Sequence, residues 1–224
     1  MKRKLALFDF CETLVDFQTA DNFVHFIRKN ESSFSMNMKE SVRMVLVKSG
    51  IMKILEKFST ESFNKKFVLW QIKGFDANKL DQYAKKYYSE KIRPAFIKKV
   101  LSEMKNLKKK GSEVYVASGG YDIYLKEFVK EFELNGVVCT KVLFKGGKCC
   151  GKFDGGDCLG ENKIKLLDIF FSDKKINDYD TISYSDSITD LPLLKWTNKG
   201  IVVSKNKVDS WVKKNKLGEL VWGN

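Results

Sequence analysis

The stretch LALFDFCET, residues 5–13, is an apolar run that ends in polar residues. Leu5 to Phe8 are apolar, Asp9 ends the run, and a turn that contains Thr13 follows. A short apolar run bounded by turn residues is typical of a strand buried in a sheet. The stretch therefore predicts a buried first strand with a carboxylate at its C-terminal end.

Similar apolar runs recur downstream and alternate with segments of helical periodicity. Further strands are predicted at 114–117, 137–144, 181–184 and 200–203, with a hairpin-like stretch at 145–160. Strands that alternate with helices are joined by right-handed crossovers into a parallel sheet. The predicted fold class is therefore α/β, with a Rossmann-like parallel sheet as its core.

The segment from about residue 18 to 90 has helical periodicity and no convincing strand. Thr60 and Asp76 are suited to cap two of its helices. Pro94 suits the first turn of the helix that follows, and Gly111 suits the end of that helix. We therefore expect an all-helical insertion after the first strand.

The composition argues against several classes of protein. Of the 224 residues, 43% are hydrophobic and 13% aromatic, which is too rich for a disordered chain. His25 is the single histidine, which argues against a Ser-His-Asp or Cys-His catalytic site and against a multi-histidine metal site. Any chemistry is therefore expected to depend on carboxylates.

The chain is strongly basic, since 41 Lys+Arg against 28 Asp+Glu give a net charge of +13. Such a charge indicates an anionic partner and leaves nucleic acid, a membrane surface and a phosphorylated small molecule open. Lysine far outnumbers arginine, against the bias expected for arginine-led readout of nucleic acid. Lysine runs such as 108–110 are typical of a solvated surface, so nucleic acid is the less favoured partner.

The cysteines and the N-terminal sequence indicate in which cellular compartment the protein is expected. The five cysteines lack paired spacing, which predicts free thiols in a reducing cytosol, and Cys149, Cys150 and Cys158 indicate zinc only weakly. The apolar run at the N-terminus is shorter than the about 7–15 residues of a signal peptide. No run reaches the roughly 18 residues of a membrane span. We therefore expect a cytoplasmic location and no membrane span.

Reactive or phosphate-binding residues follow three of the predicted strands, namely Asp9, the sequence Ser118-Gly119-Gly120, and Asp186. In an open α/β sheet, ligands bind beyond the carboxyl ends of the strands, so these residues are expected in one crevice. The glycines let the backbone approach a phosphate and offer N–H donors to it.

Charged residues complete this predicted site. Lys163, at the start of a helix, can neutralise phosphate oxygens and the aspartate that approaches them. Asp186 and Asp190 add two carboxylates four residues apart. An attacking carboxylate together with a second carboxylate suits a Mg²⁺ ion that bridges enzyme and phosphate.

In order and spacing, these motifs resemble those of the haloacid dehalogenase-like phosphohydrolases, specifically the phosphoserine-phosphatase-like branch. The resemblance covers nearly the whole chain and rests on four motifs: Asp9-x-x-x-Thr13, Ser118-Gly119-Gly120, Lys163 in CLGENK, and Asp186-x-x-x-Asp190. It implies a helical cap inserted after the first motif. We accordingly assign residues 16–90 to the cap and residues 1–15 and 91–224 to the catalytic core.

The resemblance implies a role for each aspartate. Asp9 would be the nucleophile that forms an aspartyl-phosphate. Asp9, the carbonyl oxygen of Cys11 and Asp186 would hold Mg²⁺, and Asp190 would orient a metal-bound water.

The resemblance likewise implies which residues bind the phosphoryl group. Ser118, Gly119 and Gly120 would hold its oxygens together with Lys163, where their charge and dipoles stabilise the transition state. Lys165 is the competing lysine, but the spacing within residues 160–163 favours Lys163.

Cys11 departs from the family pattern. It stands in place of the second aspartate that usually protonates the leaving oxygen and then activates water. A thiol with a pKa of about 8.5 is a poorer acid–base group than a carboxylate, so we expect a slow enzyme. The alternative is that Cys11 is an inert residue that contributes only its carbonyl to the metal.

Gln18 is a second departure and a predicted substrate-binding residue. Close phosphoserine phosphatases carry a glutamate at that position, which pairs with the substrate amine. Because an amide cannot pair with a cation in this way, a neutral polyol, sugar or amide-linked phosphate is favoured over free phosphoserine. Cysteine-variant members look like proteins that accompany the synthesis of surface-polysaccharide precursors, including capsular ones.

The sequence therefore predicts a Mg²⁺-dependent phosphomonoesterase that acts on a small phosphorylated metabolite, such as a sugar, polyol or amino-alcohol phosphate. One alternative is a non-catalytic phosphometabolite-binding protein, although such a protein would not need the nucleophile Asp9. Another is a nucleic-acid end-processing or binding protein, which the net charge of +13 suggests. The oligomeric state stays open.

Overall fold

The computed structural model of the protein describes residues 2–31, 33–57, 62–206 and 210–223. Within these ranges six parallel strands form one sheet, and two antiparallel strands form a hairpin beside it. The strands are β1 (Arg3–Phe8), β2 (Glu113–Tyr121), β3 (Gly136–Thr140), β4 (Val142–Lys145), β5 (Lys148–Phe153), β6 (Tyr179–Ser185), β7 (Lys199–Ser204) and β8 (Gly218–Val221). The order in the sheet is β3-β2-β1-β6-β7-β8, and β4 pairs with β5. The predicted α/β class with a parallel sheet is confirmed.

Strand β1 lies in the interior of the sheet because its apolar residues need cover on both faces. Leu5 to Phe8 are fully buried, and the ring of Phe8 stacks on Tyr184 of β6 with centroids 4.4 Å apart. Parallel pairing with β2 and β6 brings the C-terminal ends of all three strands to the same edge. Any residue that directly follows β1 therefore lies between the ends of β2 and β6.

Helices cover the sheet and fill the connections. They are α1 (Thr19–Glu31), α2 (Phe34–Lys48), α3 (Ile51–Lys57), α4 (Phe63–Trp70), α5 (Ala77–Tyr87), α6 (Lys98–Lys109), α7 (Asp122–Glu131), α8 (Gly160–Phe170), α9 (Leu191–Trp196) and α10 (Ser210–Lys214). Helices α1 to α5 lie between β1 and β2, as the sequence predicts. The division into a cap at 16–90 and a core stays a prediction, and the π-helical turn Tyr88–Ile92 continues α5 across its boundary.

The structure has some of the predicted helix caps and ends and lacks others. Asp76 caps α5, since its side chain accepts hydrogen bonds from two backbone N–H groups of the first turn. Thr60 lies outside the described residues, and Ser62 is the residue that caps α4. Pro94 does not begin α6 but lies in a short 3₁₀ turn, Arg93–Ala95, before it. Gly111 follows Lys110, the C-cap of α6, and has φ of +80°, a conformation that glycine adopts without strain.

Two strand predictions differ clearly from the structure in their bounds, and one strand was missed. The run 137–144 is two strands, because the chain turns at Lys141 to leave the sheet and begin the hairpin. Strand β2 continues through Ser118 to Tyr121, with a shift of register between those two residues. Strand β8 was not predicted, since a four-residue run that contains a glutamate gives no distinct apolar signal.

The hairpin β4–β5 is joined to the helical insertion through backbone hydrogen bonds. The N–H of Gly74 donates to the carbonyl of Cys149, and the N–H of Cys149 donates to the carbonyl of Phe75, both at 2.8 Å. The N–H of Ala77 donates to the carbonyl of Gly147, also at 2.8 Å. The hairpin therefore packs on the insertion rather than adding to the sheet.

The cysteines are all free thiols, as the sequence predicts. Over the described ranges, no helix is both long enough and apolar enough to span a bilayer.

Candidate active site

A cavity of about 260 Å³ opens at the C-terminal edge of the sheet, where the ends of β1, β2 and β6 meet. Eight of the nine site residues predicted from the sequence line it: Asp9, Cys11, Gln18, Ser118, Gly119, Lys163, Asp186 and Asp190. Gly120 is the ninth, and it does not line the cavity. The structure thus brings residues from four separate parts of the chain into one small site.

The loop after β1 presents Asp9 through a tight turn. The backbone N–H groups of Leu14 and Val15 both donate to the carbonyl of Phe10, at 2.9 and 3.1 Å. Glu12 has φ of 54°, so the chain reverses direction through the left-handed region. The side chains of Phe10 and Leu14 are fully buried and hold the turn against the core.

Lys163 is the central cation of the site. Its ammonium lies 3.0 Å from Oδ1 of Asp9 and 2.6 Å from Oδ2 of Asp190, and its side chain is only 1% exposed. The hydroxyl of Ser185 also donates to Oδ2 of Asp190, at 2.8 Å. Burial lowers the pKa of Lys163, but the carboxylates of Asp9 and Asp190 raise it more, so the net pKa lies above its ordinary value. Lys165 is exposed, so the geometry favours Lys163 as the site lysine.

Asp9 and Asp186 carry raised pKa values. Burial raises the pKa of Asp9 to about 7; Lys163 opposes this, and Asp190 and Asp186 add to it. Burial likewise raises the pKa of Asp186 to about 6, against the hydrogen bond that Thr13 donates to it at 3.1 Å. Carboxylates crowded in this way favour a bound cation, which would restore their ordinary ionisation.

The donor set fits Mg²⁺. Among the described residues no three His, Cys, Asp or Glu side chains lie together as a metal cluster, so side chains alone do not form a complete cage. Mg²⁺ commonly binds through one or two carboxylates and completes its shell with water and substrate phosphate. Asp9 and Asp186, supplemented by a backbone carbonyl such as that of Cys11, match this chemistry.

The thiol of Cys11 belongs to a chain of polar contacts between side chains. Its Sγ lies 3.1 Å from Oγ1 of Thr19, which in turn lies 2.7 Å from the hydroxyl of Tyr124. Burial, and then the negative charge of Asp9, raise the pKa of Cys11 to about 11. The thiol therefore keeps its proton at neutral pH and is a weaker acid than an ordinary cysteine.

Gln18 faces the cavity from the start of the helical insertion. Its side-chain amide donates to Oε2 of Glu12 at 2.6 Å, and both residues line the cavity. The amide is thus held in place by a carboxylate of the loop after β1.

The two glycines of the second motif serve different purposes. A Cβ on Gly119 would lie 2.7 Å from a methyl of Leu159 and 3.3 Å from Nζ of Lys65, so a side chain there would crowd both of these side chains at the cavity wall. A Cβ on Gly120 would lie 2.9 Å from the hydroxyl of Tyr124. Gly119 therefore leaves room beside the site, whereas Gly120 lets α7 pack closely.

Lys65 is a site residue that sequence reasoning missed. It lies on α4, lines the cavity, and its ammonium contacts the carbonyl of Gly119 and the carboxylate of Asp157. It stands next to Lys66 in a lysine-rich chain and belongs to no motif, so nothing in the sequence distinguishes it.

Comparisons with known proteins identify the family of the chain. The family model described as haloacid dehalogenase-like hydrolase matches residues 6–195. A phosphoserine phosphatase of Methanocaldococcus jannaschii is 26% identical over 231 residues, which cover 98% of this chain and 97% of that protein.

Two solved structures share the fold. A protein of unknown function from Bordetella pertussis Tohama I has a TM-score of 0.83 at 16% identity, over 98% of this chain and 99% of its own. A phospho-aspartyl intermediate analogue of phosphoserine phosphatase has a TM-score of 0.63 at 21% identity, over 99% of this chain and 94% of its own. At these identities the likeness bears on the fold alone.

Proposed function

Because the chain belongs to the haloacid dehalogenase-like hydrolase family, in its phosphoserine-phosphatase-like branch, and is a phosphatase, we propose that it is a Mg²⁺-dependent phosphomonoesterase acting through Asp9. The observation that carries the proposal is the position of Lys163, whose ammonium binds both Asp9 and Asp190 inside the cavity. A nucleophilic carboxylate needs such a cation beside it, because it must approach a phosphoryl group of the same charge.

The chemistry proceeds in two displacements on phosphorus. Lys163 binds Oδ1 of Asp9, so we assign the attack to Oδ2. The oxygen forms a bond to phosphorus as the bond to the alcohol breaks, and the departing oxygen takes a proton from the Cys11 thiol or from water. Water then attacks the aspartyl-phosphate, returns a proton to the group that donated it in the first step, and releases inorganic phosphate as the Asp9 carboxylate is regenerated.

The residues around Asp9 hold the charge that moves in these steps. The hydroxyl of Ser118 and the N–H of Gly119 donate to phosphoryl oxygens, and Lys163 neutralises them. Asp190, bound by Ser185 and Lys163, holds the ammonium in place. Asp9, Asp186 and the Cys11 carbonyl would hold Mg²⁺, which when bound supplies positive charge to the phosphoryl oxygens.

Metal removal tests the cofactor assignment. Protein stripped with a chelator is expected to release no phosphate above background, and added Mg²⁺ is expected to restore release, because Asp9 and Asp186 otherwise repel the substrate. The rate of phosphate release, measured after treatment with the chelator and again after dialysis against Mg²⁺, gives the dependence on the metal. Release that is unaffected by the chelator would show that the site works without a divalent cation.

The size of the cavity supports a small phosphomonoester as the substrate. Its volume of about 260 Å³ is below the usual range of about 300–1,000 Å³ for ligand pockets. We infer a sugar, polyol or amino-alcohol phosphate, with surface-polysaccharide precursors among the candidates. Phosphate release should be assayed over sugar, amino-alcohol and amino-acid phosphates, nucleotides and 5′-phosphorylated oligonucleotides. Failure of every substrate in the presence of Mg²⁺ would refute the enzyme proposal, and release from oligonucleotides alone would favour nucleic-acid end processing.

Replacement of Cys11 by aspartate is expected to raise turnover at least about tenfold. The raised pKa of the thiol makes Cys11 a weak proton donor, whereas a carboxyl group can both donate to the leaving oxygen and activate water. The hydroxyl and backbone N–H of Thr19, which now contact Sγ, can donate to the new carboxylate. Steady-state kcat with Mg²⁺ measures the gain, and Cys11→Ser is the matched control that supplies no acid. Unchanged or reduced turnover in Cys11→Asp would mean that Cys11 does not limit the rate.

A further inference from the structure

Lys65 reaches from the helical insertion into the wall of the active-site cavity. Its side chain is 9% exposed, and its ammonium contacts the carbonyl of Gly119, the hydroxyl of Thr140 at 3.1 Å and the carboxylate of Asp157. This ammonium is therefore beside the predicted phosphate site, where an unpaired cation would attract any anionic group of a substrate.

Asp157 removes that attraction. Its side chain is 2% exposed, it pairs with Lys65, and Thr140 donates to the same oxygen at 2.7 Å. Asp157 does not itself line the cavity, so it neutralises the ammonium of Lys65 from outside the cavity. Its other oxygen, Oδ2, is buried and has no hydrogen-bond partner among the described residues, which leaves the pairing with Lys65 to compensate the buried charge.

The remaining charges of the cavity wall are mostly negative. Among the described residues two ammonium groups line the cavity, those of Lys65 and Lys163, and both are paired with carboxylates. Five acidic residues line it as well: Asp9, Glu12, Asp21, Asp186 and Asp190. Within the described part of the chain, a second anionic group on the substrate would therefore meet no uncompensated cation.

We propose that the Lys65–Asp157 pair sets substrate selectivity: the site takes phosphomonoesters whose remaining part carries no second anionic group, and Asp157 enforces this by neutralising Lys65. This inference rests on the proposed phosphatase function and narrows its substrate class. The polar groups left for the substrate are neutral ones, such as the amide of Gln18, which suits hydroxyl-bearing substrates.

Glycerol phosphate and phosphoglycerate test the proposal because they are similar in size. Glycerol phosphate carries a hydroxymethyl group where phosphoglycerate carries a carboxylate. The unmodified protein is expected to prefer glycerol phosphate in kcat/KM. Asp157→Asn keeps the shape of the side chain and frees the ammonium of Lys65, so it is expected to shift the ratio toward phosphoglycerate at least about tenfold. Asp154→Asn is the matched control, since Asp154 is exposed on the same loop and the ratio should not change.

A double variant separates charge from shape. Lys65→Gln combined with Asp157→Asn lacks the cation and is expected to return the ratio to that of the unmodified protein. If Asp157→Asn does not fold, Lys65→Gln alone gives the answer: it leaves the carboxylate of Asp157 unpaired beside the cavity, so the preference for glycerol phosphate should become stronger, and an unchanged or weaker preference would overturn the proposal. A preference of the unmodified protein for phosphoglycerate, an unchanged ratio in folded Asp157→Asn, or the same gain in the double variant would overturn the proposal.

Equilibrium binding keeps this test distinct from the test of the enzyme. Calorimetric titration of each protein with the same two compounds, in a background that also carries Asp9→Asn to prevent turnover, measures the selectivity of binding. The expected binding ratios without any phosphate release would refute the phosphatase proposal and support the selectivity. Phosphate release with a binding ratio that Asp157→Asn does not change would support the phosphatase proposal and refute the selectivity.

Discussion

Replacement of Asp9 by asparagine is expected to lower the rate of phosphate release by about 10⁴-fold or more, since loss of a catalytic nucleophile has effects of this order. The amide lacks the negative charge that attacks phosphorus and cannot form the aspartyl-phosphate. Single-turnover release of phosphate from the best substrate measures the loss.

The variant should remain folded, which makes the result easy to interpret. Asp9 is buried beside Asp186 and Asp190, so removal of its charge relieves repulsion, and Lys163 keeps its contact with Asp190. Asp16→Asn is the matched control, because Asp16 is an exposed carboxylate shortly after the same loop. Substantial activity in the Asp9 variant would exclude an acyl-phosphate mechanism at that residue.

Replacement of Lys163 by methionine is expected to affect both activity and stability. Methionine has a similar length but no charge, so Asp9 and Asp190 would face each other without a cation in a buried site. Removal of one partner from a buried ion pair costs about 3–5 kcal/mol of unfolding free energy. Turnover should fall by about 10³-fold, because a charge that stabilises the transition state is lost.

Chemical denaturation and steady-state assays measure the two effects of the Lys163 variant separately. Lys165→Met provides the control, since Lys165 is exposed on the same helix and should change neither quantity appreciably. A Lys163 variant with unaltered unfolding free energy would mean that the buried carboxylates are compensated by another group.

The parts of the site that follow strands were predictable from the sequence. Buried apolar runs mark strands, and parallel strands end at one edge, so the meeting of Asp9, Ser118 and Asp186 follows from the order of the runs. Lys163 required its motif, because its position on a helix gives no sign of the ion pairs that it makes. The resemblance to a known family supplied that motif.

Other features depend on contacts that no local pattern encodes. The break between β3 and β4 falls at Lys141, within the single strand predicted over 137–144, and Thr140 beside it makes buried hydrogen bonds to Asp157 and Cys158. The role of Lys65 depends on a partner 92 residues away in the chain. Long-range pairing of this kind leaves no periodicity, so a single sequence does not reveal it.

The hydrogen bonds between the hairpin β4–β5 and the helical insertion determine how the molecule could open. Their breakage would cost about 0.5–1.5 kcal/mol each, so a lid motion of the insertion is easier if the hairpin travels with it as one rigid body. The chain would then bend at Lys141 and at residues 154–156, where Gly155 has φ of +88°. Because Asp157 follows that hinge and pairs with Lys65, the ion pair spans the hinge and would favour the closed arrangement, in which the ammonium is neutralised.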